Sequence, residues 1–339
     1  MVPWYHAKRR VSRISVALIV MCLGAATLRA ETAPDAMPAW LFPMSSPEPS
    51  ASTTVDERSR VHLPPSELTF RAAQLTDLFY APDWFPRAHG PMPEVVAHGR
   101  RPDVYACGYC HLPSGQGRPE NSSLAGLPAA YIEQQVADFK SGDRRSPWRG
   151  SYGPPDLMIH LSAFVTPEEV ASAAEYFSKL RLRPRVRVVE NSRVPRARVE
   201  GLVYIAIRGG GDEELGERML EFAPDPQRHE SRDETMRYIA YAPVGSIRRG
   251  RSLAAAGIRL AGGEHPSLAC VSCHGATLRG VGAIPGLAGR SPSYLLRQLL
   301  AFKIGTRVGQ TGVTMKPIAA NLQLGDMIDA VAYAASLPP

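Results

Sequence analysis

The sequence predicts a mainly α-helical protein, built from two copies of one helical domain with a small β-rich insert between them. Three observations carry this reading. Residues 107–144 align without a gap with 270–307, and thirteen of these 38 positions are identical. Residues 158–180 align in the same way with 315–337, so the first copy holds six extra residues just before Met158. Between the copies, residues 184–245 carry β-branched and aromatic runs broken by Gly and Pro, a strand signature.

The identical positions include Leu124-Ala125-Gly126 with Leu287-Ala288-Gly289, Tyr131 with Tyr294, and Phe139-Lys140 with Phe302-Lys303. A repeat of this length is a duplicated domain, too long in period for a solenoid. Ser291-Pro292 supplies an N-cap and an N1 proline. Tyr294, Leu295, Gln298, Leu299 and Phe302 follow as one face at helical spacing, and Gly305 ends the helix. Thr166-Pro167-Glu168-Glu169 is a capping box that opens a last helix of the first copy, running to about Leu180. Gln323 is a poorer cap at the matching place, and Ser246 to Gly250 opens a helix entering the second copy. Val186–Val189, Leu202–Ile207 and Tyr238–Tyr241 are the strand candidates of the insert, which is expected to pack across both domains. An extended linker is the alternative, although the length of the segment argues for structure of its own.

The ends of the chain divide further. A basic start (Lys8, Arg9, Arg10, Arg13) precedes an apolar run from Ile14 to Ala26, the pattern of a secretory signal. That run is short for a membrane span. Cleavage is expected after Ala26 or Ala30, with an uncleaved anchor as the alternative, and Cys22 belongs to the signal. Residues 31–64 read as a flexible Pro/Ser-rich leader in which Trp40, Leu41 and Phe42 are candidates to dock on the body. The domains expected are thus 65–183, 184–245 and 246–339. The formal charge of +7 owes five basic residues to the first thirty positions, which hold no acid. The rest is nearly balanced, so a nucleic-acid partner has little support.

Outside Cys22, every cysteine lies in a Cys-x-x-Cys-His motif: Cys107-Gly-Tyr-Cys110-His111 and Cys270-Val-Ser-Cys273-His274. Two cysteines at this spacing present both sulfurs to the two vinyl groups of one haem, with the following His beneath the iron. A redox disulfide, a zinc site and a structural disulfide are the alternatives. The adjacent His, the duplication and the export signal all favour haem. Two haem c groups are therefore expected, with His111 and His274 as axial ligands. Met158 and Met315 are the only methionines at matching positions in the two copies, and a thioether opposite His suits electron transfer. They are the candidate sixth ligands, with His160 as the competitor of Met158. His62, His89, His98, His229 and His265 sit in contexts that suggest surface or structural roles.

These motifs, with the Leu-Ala-Gly-x-x-x-x-Tyr helix start, Phe-Lys-x-Gly and Met315-Lys-Pro-Ile-Ala-Ala-Asn-Leu, resemble a dihaem class I c-type cytochrome similar to the two-domain cytochrome c-four family. The resemblance spans about residues 93–182 and 246–339. It implies two cytochrome c-like helical domains, each around one haem. It also implies a periplasmic electron shuttle, soluble or loosely attached to a membrane, serving a respiratory complex, a terminal oxidase or a dehydrogenase. The chain departs from that pattern before residue 93, at 184–245, and just before Met158. An electron-accepting subunit of a dehydrogenase complex and a dihaem peroxidase-like enzyme are the alternative functions.

Overall fold

The two repeats each fold as short helices around a cavity. The computed structural model describes residues 37–44, 56, 58–257, 268–310 and 312–339. The expected signal segment and His265 lie outside the described residues. Among the described residues no helix is long and apolar enough to cross a membrane.

In the first copy, helix α1 (Cys107–His111) carries the first motif, followed by α2 (Ala129–Ser141), α3 (Gly153–Phe164) and α4 (Pro167–Ser178). Helix α4 starts as its sequence dictates: Thr166 Oγ1 accepts from Glu169 N (3.2 Å) and Glu169 Oε2 accepts from Thr166 N (2.9 Å). The second copy opens with α5 (Ser246–Ala256), then α6 (Cys270–His274) with the second motif, α7 (Pro292–Ile304), α8 (Met315–Ala320) and α9 (Leu324–Ser336). Ser291 caps α7, its hydroxyl accepting from Tyr294 N at 3.2 Å. The weak cap expected at Gln323 is reinforced by Asp326, whose Oδ2 accepts the Gln323 N–H at 2.9 Å.

The shared Leu-Ala-Gly triplet has a backbone cause. Gly126 and Gly289 sit at φ 69° and 71°, where a Cβ is strained. Each hands its N–H to the last helix of its copy, Gly126 to Phe177 O (3.1 Å) and Gly289 to Ala334 O (2.9 Å). The apolar faces then close on themselves. Val96, Ile132, Leu161, Ala174 and Phe177 are among the core of the first copy. Leu278, Leu296, Met327, Ile328 and Val331 are among that of the second.

The residues between the copies form a five-stranded mixed sheet from β1 (Val186–Glu190), β2 (Ala197–Glu200), β3 (Val203–Ala206), β4 (Leu220–Phe222) and β5 (Tyr238–Ala242), in the order β1-β5-β4-β3-β2. β1 runs parallel to β5 and β3 parallel to β4, whereas β5–β4 and β3–β2 are antiparallel. The sheet touches both copies. Arg185 Nη1 donates to Gly117 O (2.6 Å), and Glu221 Oε2 accepts from Ser291 Oγ (2.6 Å).

Part of the segment expected to be a leader is packed. Residues Ala39–Leu41 form a helical turn, and Leu41 and Phe42 are buried. Phe42 lies against Trp148 (5.1 Å between ring centroids) and Tyr152 (5.3 Å), both from the longer stretch before Met158, residues 145–157. Residues Arg60–His62 pair antiparallel with Thr69–Arg71.

Helices α5 and α9 cross at Gly250, where an added Cβ would stand 1.9 Å from Asp329 O. Backbone cannot yield as a side chain can. We therefore expect Gly250→Ala to lower stability by about 1–3 kcal/mol, the usual cost of overpacking, read from the urea midpoint of the holoprotein. An unchanged midpoint would contradict the close crossing.

Candidate haem-binding sites

Helix α1 turns Cys107, Cys110 and His111 toward a space bounded by α2, α3 and α4. Two adjoining cavities share His111, Leu124 and Met158, and one of them is also lined by both cysteines. In the second copy one cavity is lined by Cys270, Cys273, His274 and Met315. The structure thus brings all eight expected residues together in two sets. None of the four motif cysteines is in a disulfide.

The two histidines are prepared identically. His111 Nδ1 lies 2.8 Å from Ser122 O, and His274 Nδ1 lies 2.8 Å from Pro285 O, the matching residue of the repeat. A carbonyl only accepts, so Nδ1 must carry the proton. Each Nε2 is then left with its lone pair, the state a metal needs. Burial holds both imidazoles below the usual histidine range, which keeps them neutral. Burial also pushes the Cys107 thiol up to about 12 and raises Cys110. A disulfide oxidoreductase needs the opposite shift, so this environment disfavours that alternative.

Met158 lies within α3 rather than in a loop, and it lines both first-copy cavities. His160 is directed elsewhere: its ring stacks on Tyr105 (5.7 Å between centroids) and its Nε2 is 3.5 Å from Asp103. Met315 begins α8. Of the other histidines, His229 is buried and structural, with Nδ1 3.1 Å from Tyr238 OH.

Sequence reasoning missed the seam between the cavities. Tyr131, Tyr294 and Gln298 line both the His111 and the His274 cavity. Arg144 donates to Gln135 Oε1 (2.9 Å), Tyr294 OH (2.7 Å) and Gln298 Oε1 (3.1 Å). Arg307 mirrors it, donating to Gln298 Oε1 (3.1 Å), Tyr131 OH (2.8 Å) and Gln135 Oε1 (2.6 Å). The three pairs Tyr131/Tyr294, Gln135/Gln298 and Arg144/Arg307 occupy the same positions of the repeat, and all are identical. That identity was the available signal. Two backbone bonds close the seam, Arg145 N to Thr306 O (2.8 Å) and Val308 N to Asp143 O (2.7 Å).

Both guanidinium groups are buried, and among the described residues neither has a carboxylate within ion-pair distance. Burial and the nearby Arg307 hold Arg144 below the ordinary arginine range. Burial alone would raise Tyr294, but Arg144 and Arg307 draw it down to about 8. A haem brings two propionates, so the donor set and the charge of these cavities both fit that group.

Replacing either arginine leaves buried hydroxyl and amide acceptors short of a donor, at about 1–3 kcal/mol. Arg144→Met and Arg307→Met should each destabilise the holoprotein by about that much in urea unfolding. The double variant should cost more than the sum, because each single removal already gains the whole relief of the like-charge pair. Strict additivity would show that the two guanidinium groups act independently.

Comparison with known proteins places these features. No protein-family model matches the chain. It is 38% identical over 77 residues to cytochrome c-554(548) of Halomonas halodenitrificans, covering 93% of that protein. It is 27% identical over 240 residues to a thiosulfate dehydrogenase electron acceptor of Stutzerimonas stutzeri, covering 69% of this chain and 79% of the relative. It is 42% identical over 69 residues, 20% of this chain, to cytochrome c-552 of Acidithiobacillus ferridurans, and this match spans 29% of that relative's length.

Proposed function

The chain belongs to the class I c-type cytochromes, and we propose that it is an exported electron carrier holding two haems, one in each repeat. One observation carries the reading. Each copy gathers two thiols, an imidazole with its Nδ1 proton spent on a carbonyl, and a methionine around one cavity.

A bound haem supplies an iron that cycles between ferric and ferrous. Cys107 and Cys110 would tether the first haem, and Cys270 and Cys273 the second. His111 and His274 would offer Nε2 to iron, and Met158 and Met315 would offer the opposite thioether. The lining is apolar, with Leu124, Ile132 and Val136 in the first copy and Leu295, Leu299 and Val331 in the second. With His111 and Met158 holding one group and His274 and Met315 the other, neither would offer a place for a substrate. This favours transfer over peroxidase chemistry.

The partner class follows from the relatives named as thiosulfate dehydrogenase electron acceptors. A dehydrogenase as electron donor is the reading they support. Location in the periplasm rests on the basic and apolar start of the sequence.

The intact mass should exceed that of the processed polypeptide by two haems, which acidified acetone should not extract. Cys107→Ala with Cys110→Ala should remove one haem. A mass showing none, or bound zinc, would end the proposal.

Ligation is read separately. The oxidised protein should show a weak methionine-to-iron charge-transfer band. Met158→Ala and Met315→Ala should each remove about half of it, as expected for two equivalent His/Met sites, and His160→Ala should leave it intact. If instead His160→Ala opens the first haem to carbon monoxide and Met158→Ala leaves the band whole, His160 is the ligand.

A further inference from the structure

Arg232 of the insert holds a backbone conformation that its residue type resists. Its φ of 58° lies in the left-handed region, which strains a residue with a Cβ and not a glycine. The residue is also buried, at 8% exposure. Its guanidinium lies 3.8 Å over the ring of Tyr109, which stands between the two cysteines of the first motif. Nη1 donates to Leu75 O (2.6 Å) and Glu230 O (2.8 Å), and Nη2 donates to the Tyr109 hydroxyl. Nε has no partner among the described residues. All three acceptors are neutral, so they orient the cation without cancelling its charge.

The charged neighbours are otherwise matched. Arg118 meets Glu120 at 2.7 Å, and Arg228 meets Asp233. His89 faces Asp83 at 3.3 Å, and this carboxylate raises the imidazole above the usual histidine range. Glu234 Oε2 accepts the Ser114 N–H at 3.1 Å, and burial pushes this carboxyl up, toward its neutral form. Glu230 acts on Arg232 from farther off, but it is exposed and water screens it. Among the described residues no carboxylate lies within ion-pair distance of Arg232. Packing alone does not call for this arrangement. A methionine would cover the ring without taking a charge out of water. In the second copy Ser272 stands in place of Tyr109 and is exposed, so no ring is there to seat a cation.

From these observations we infer that Arg232 is a positioning residue for the electron: its fixed charge makes the first haem the one that is reduced first. The inference rests on the electron-carrier reading. Passing from ferric to ferrous removes one positive charge from a site, so a nearby buried cation favours the ferrous state. Burial of the first motif acts in the same direction. In the half-reduced protein the single electron then rests on the first iron, which is ferrous, while the second stays ferric. No bond forms or breaks.

The test is a redox titration of the holoprotein followed by proton NMR, in which the first haem is recognised by its nearness to the Tyr109 ring. At a fixed applied potential, Arg232→Met should lower the ferrous-to-ferric ratio of the first haem about tenfold and leave that of the second unchanged. The shift should persist at high salt, because a buried charge is little screened. Arg232→Lys should keep most of the wild-type ratio. Arg232→Gly removes the charge and also relieves the strained φ, so its urea midpoint should exceed that of Arg232→Met while its ratio falls as far. It also decides the matter if Arg232→Met does not fold. An unchanged ratio in Arg232→Gly, or a fall in Arg232→Lys equal to that in Arg232→Gly, would make Arg232 a structural clamp and overturn the inference. Two haems that still titrate would then uphold the carrier. A protein in which neither haem accepts an electron would overturn both.

Discussion

Two buried guanidinium groups facing one another set the terms for the rest of the molecule. Arg144 and Arg307 are held by neutral acceptors alone among the described residues, and those acceptors come from both copies. Hydrogen bonds to hydroxyl and amide oxygens orient a guanidinium but do not neutralise it. In a medium of low dielectric constant the two charges repel, and each favours an anion nearby. The cavities on either side are where the proposed haems would bring carboxylates. On that reading haem attachment in one copy lowers the cost of the charge that the other copy shares. The stability of the seam and the occupancy of the cavities are then linked quantities.

Duplication supplies this seam at no extra sequence cost, because one set of Tyr, Gln and Arg meets its own copy. What differs between the copies is added material. The longer stretch before Met158, residues 145–157, contributes Trp148 and Tyr152, which receive Phe42. Arg297 of α7 donates to Leu41 O at 3.1 Å and also to Pro119 O, tying this N-terminal segment to both copies. The insert adds Arg232 and Glu234 over the first motif. Each departure from the repeat thus falls on the first copy or on the boundary, and among the described residues none of this material covers the second motif.

The features legible in the sequence were local ones. Cys-x-x-Cys-His, the Thr166–Glu169 box, the Ser291 cap and the face of α7 depend on neighbours within a few residues. The strand runs at 186–189, 202–207 and 238–241 were legible for the same reason, and they appear as β1, β3 and β5. Strand β4 was not, because Leu220-Glu221-Phe222 is only three residues long and its alternation misleads: all three are buried, and Glu221 Oε2 accepts from Ser291 Oγ and Ser293 N across the domain boundary. The parallel pairing of β1 with β5 joins residues about fifty positions apart, with no turn between them to signal it. Packing of Leu41 and Phe42 likewise depends on partners far along the chain, although their apolar character singled them out from a polar segment. The seam was visible as repeat identity, but identity cannot say that two copies touch through the residues they share.

The first sixth-ligand position shows how helix geometry decides what composition leaves open. Positions two apart on an α-helix point about 200° apart, so Met158 and His160 cannot both face one cavity. Met158 lines the cavity, while His160 stacks between Tyr105 and Phe164, with ring centroids 5.7 and 5.0 Å away. The extra residues before Met158 lengthen α3 at its start and leave the register of its cavity face unchanged. A rotated helix would have turned the Met158 thioether out of the cavity and taken the His160 imidazole away from Asp103 and Tyr105. Under the proposed ligation both irons then see the same pair of donors, so a difference in potential has to come from outside the first coordination sphere. Burial, solvent access and nearby charge are the levers that remain. The structure differentiates the two sites by those levers: the first motif lies under the insert, with Arg232 over Tyr109, and the second opens to water through an apolar rim.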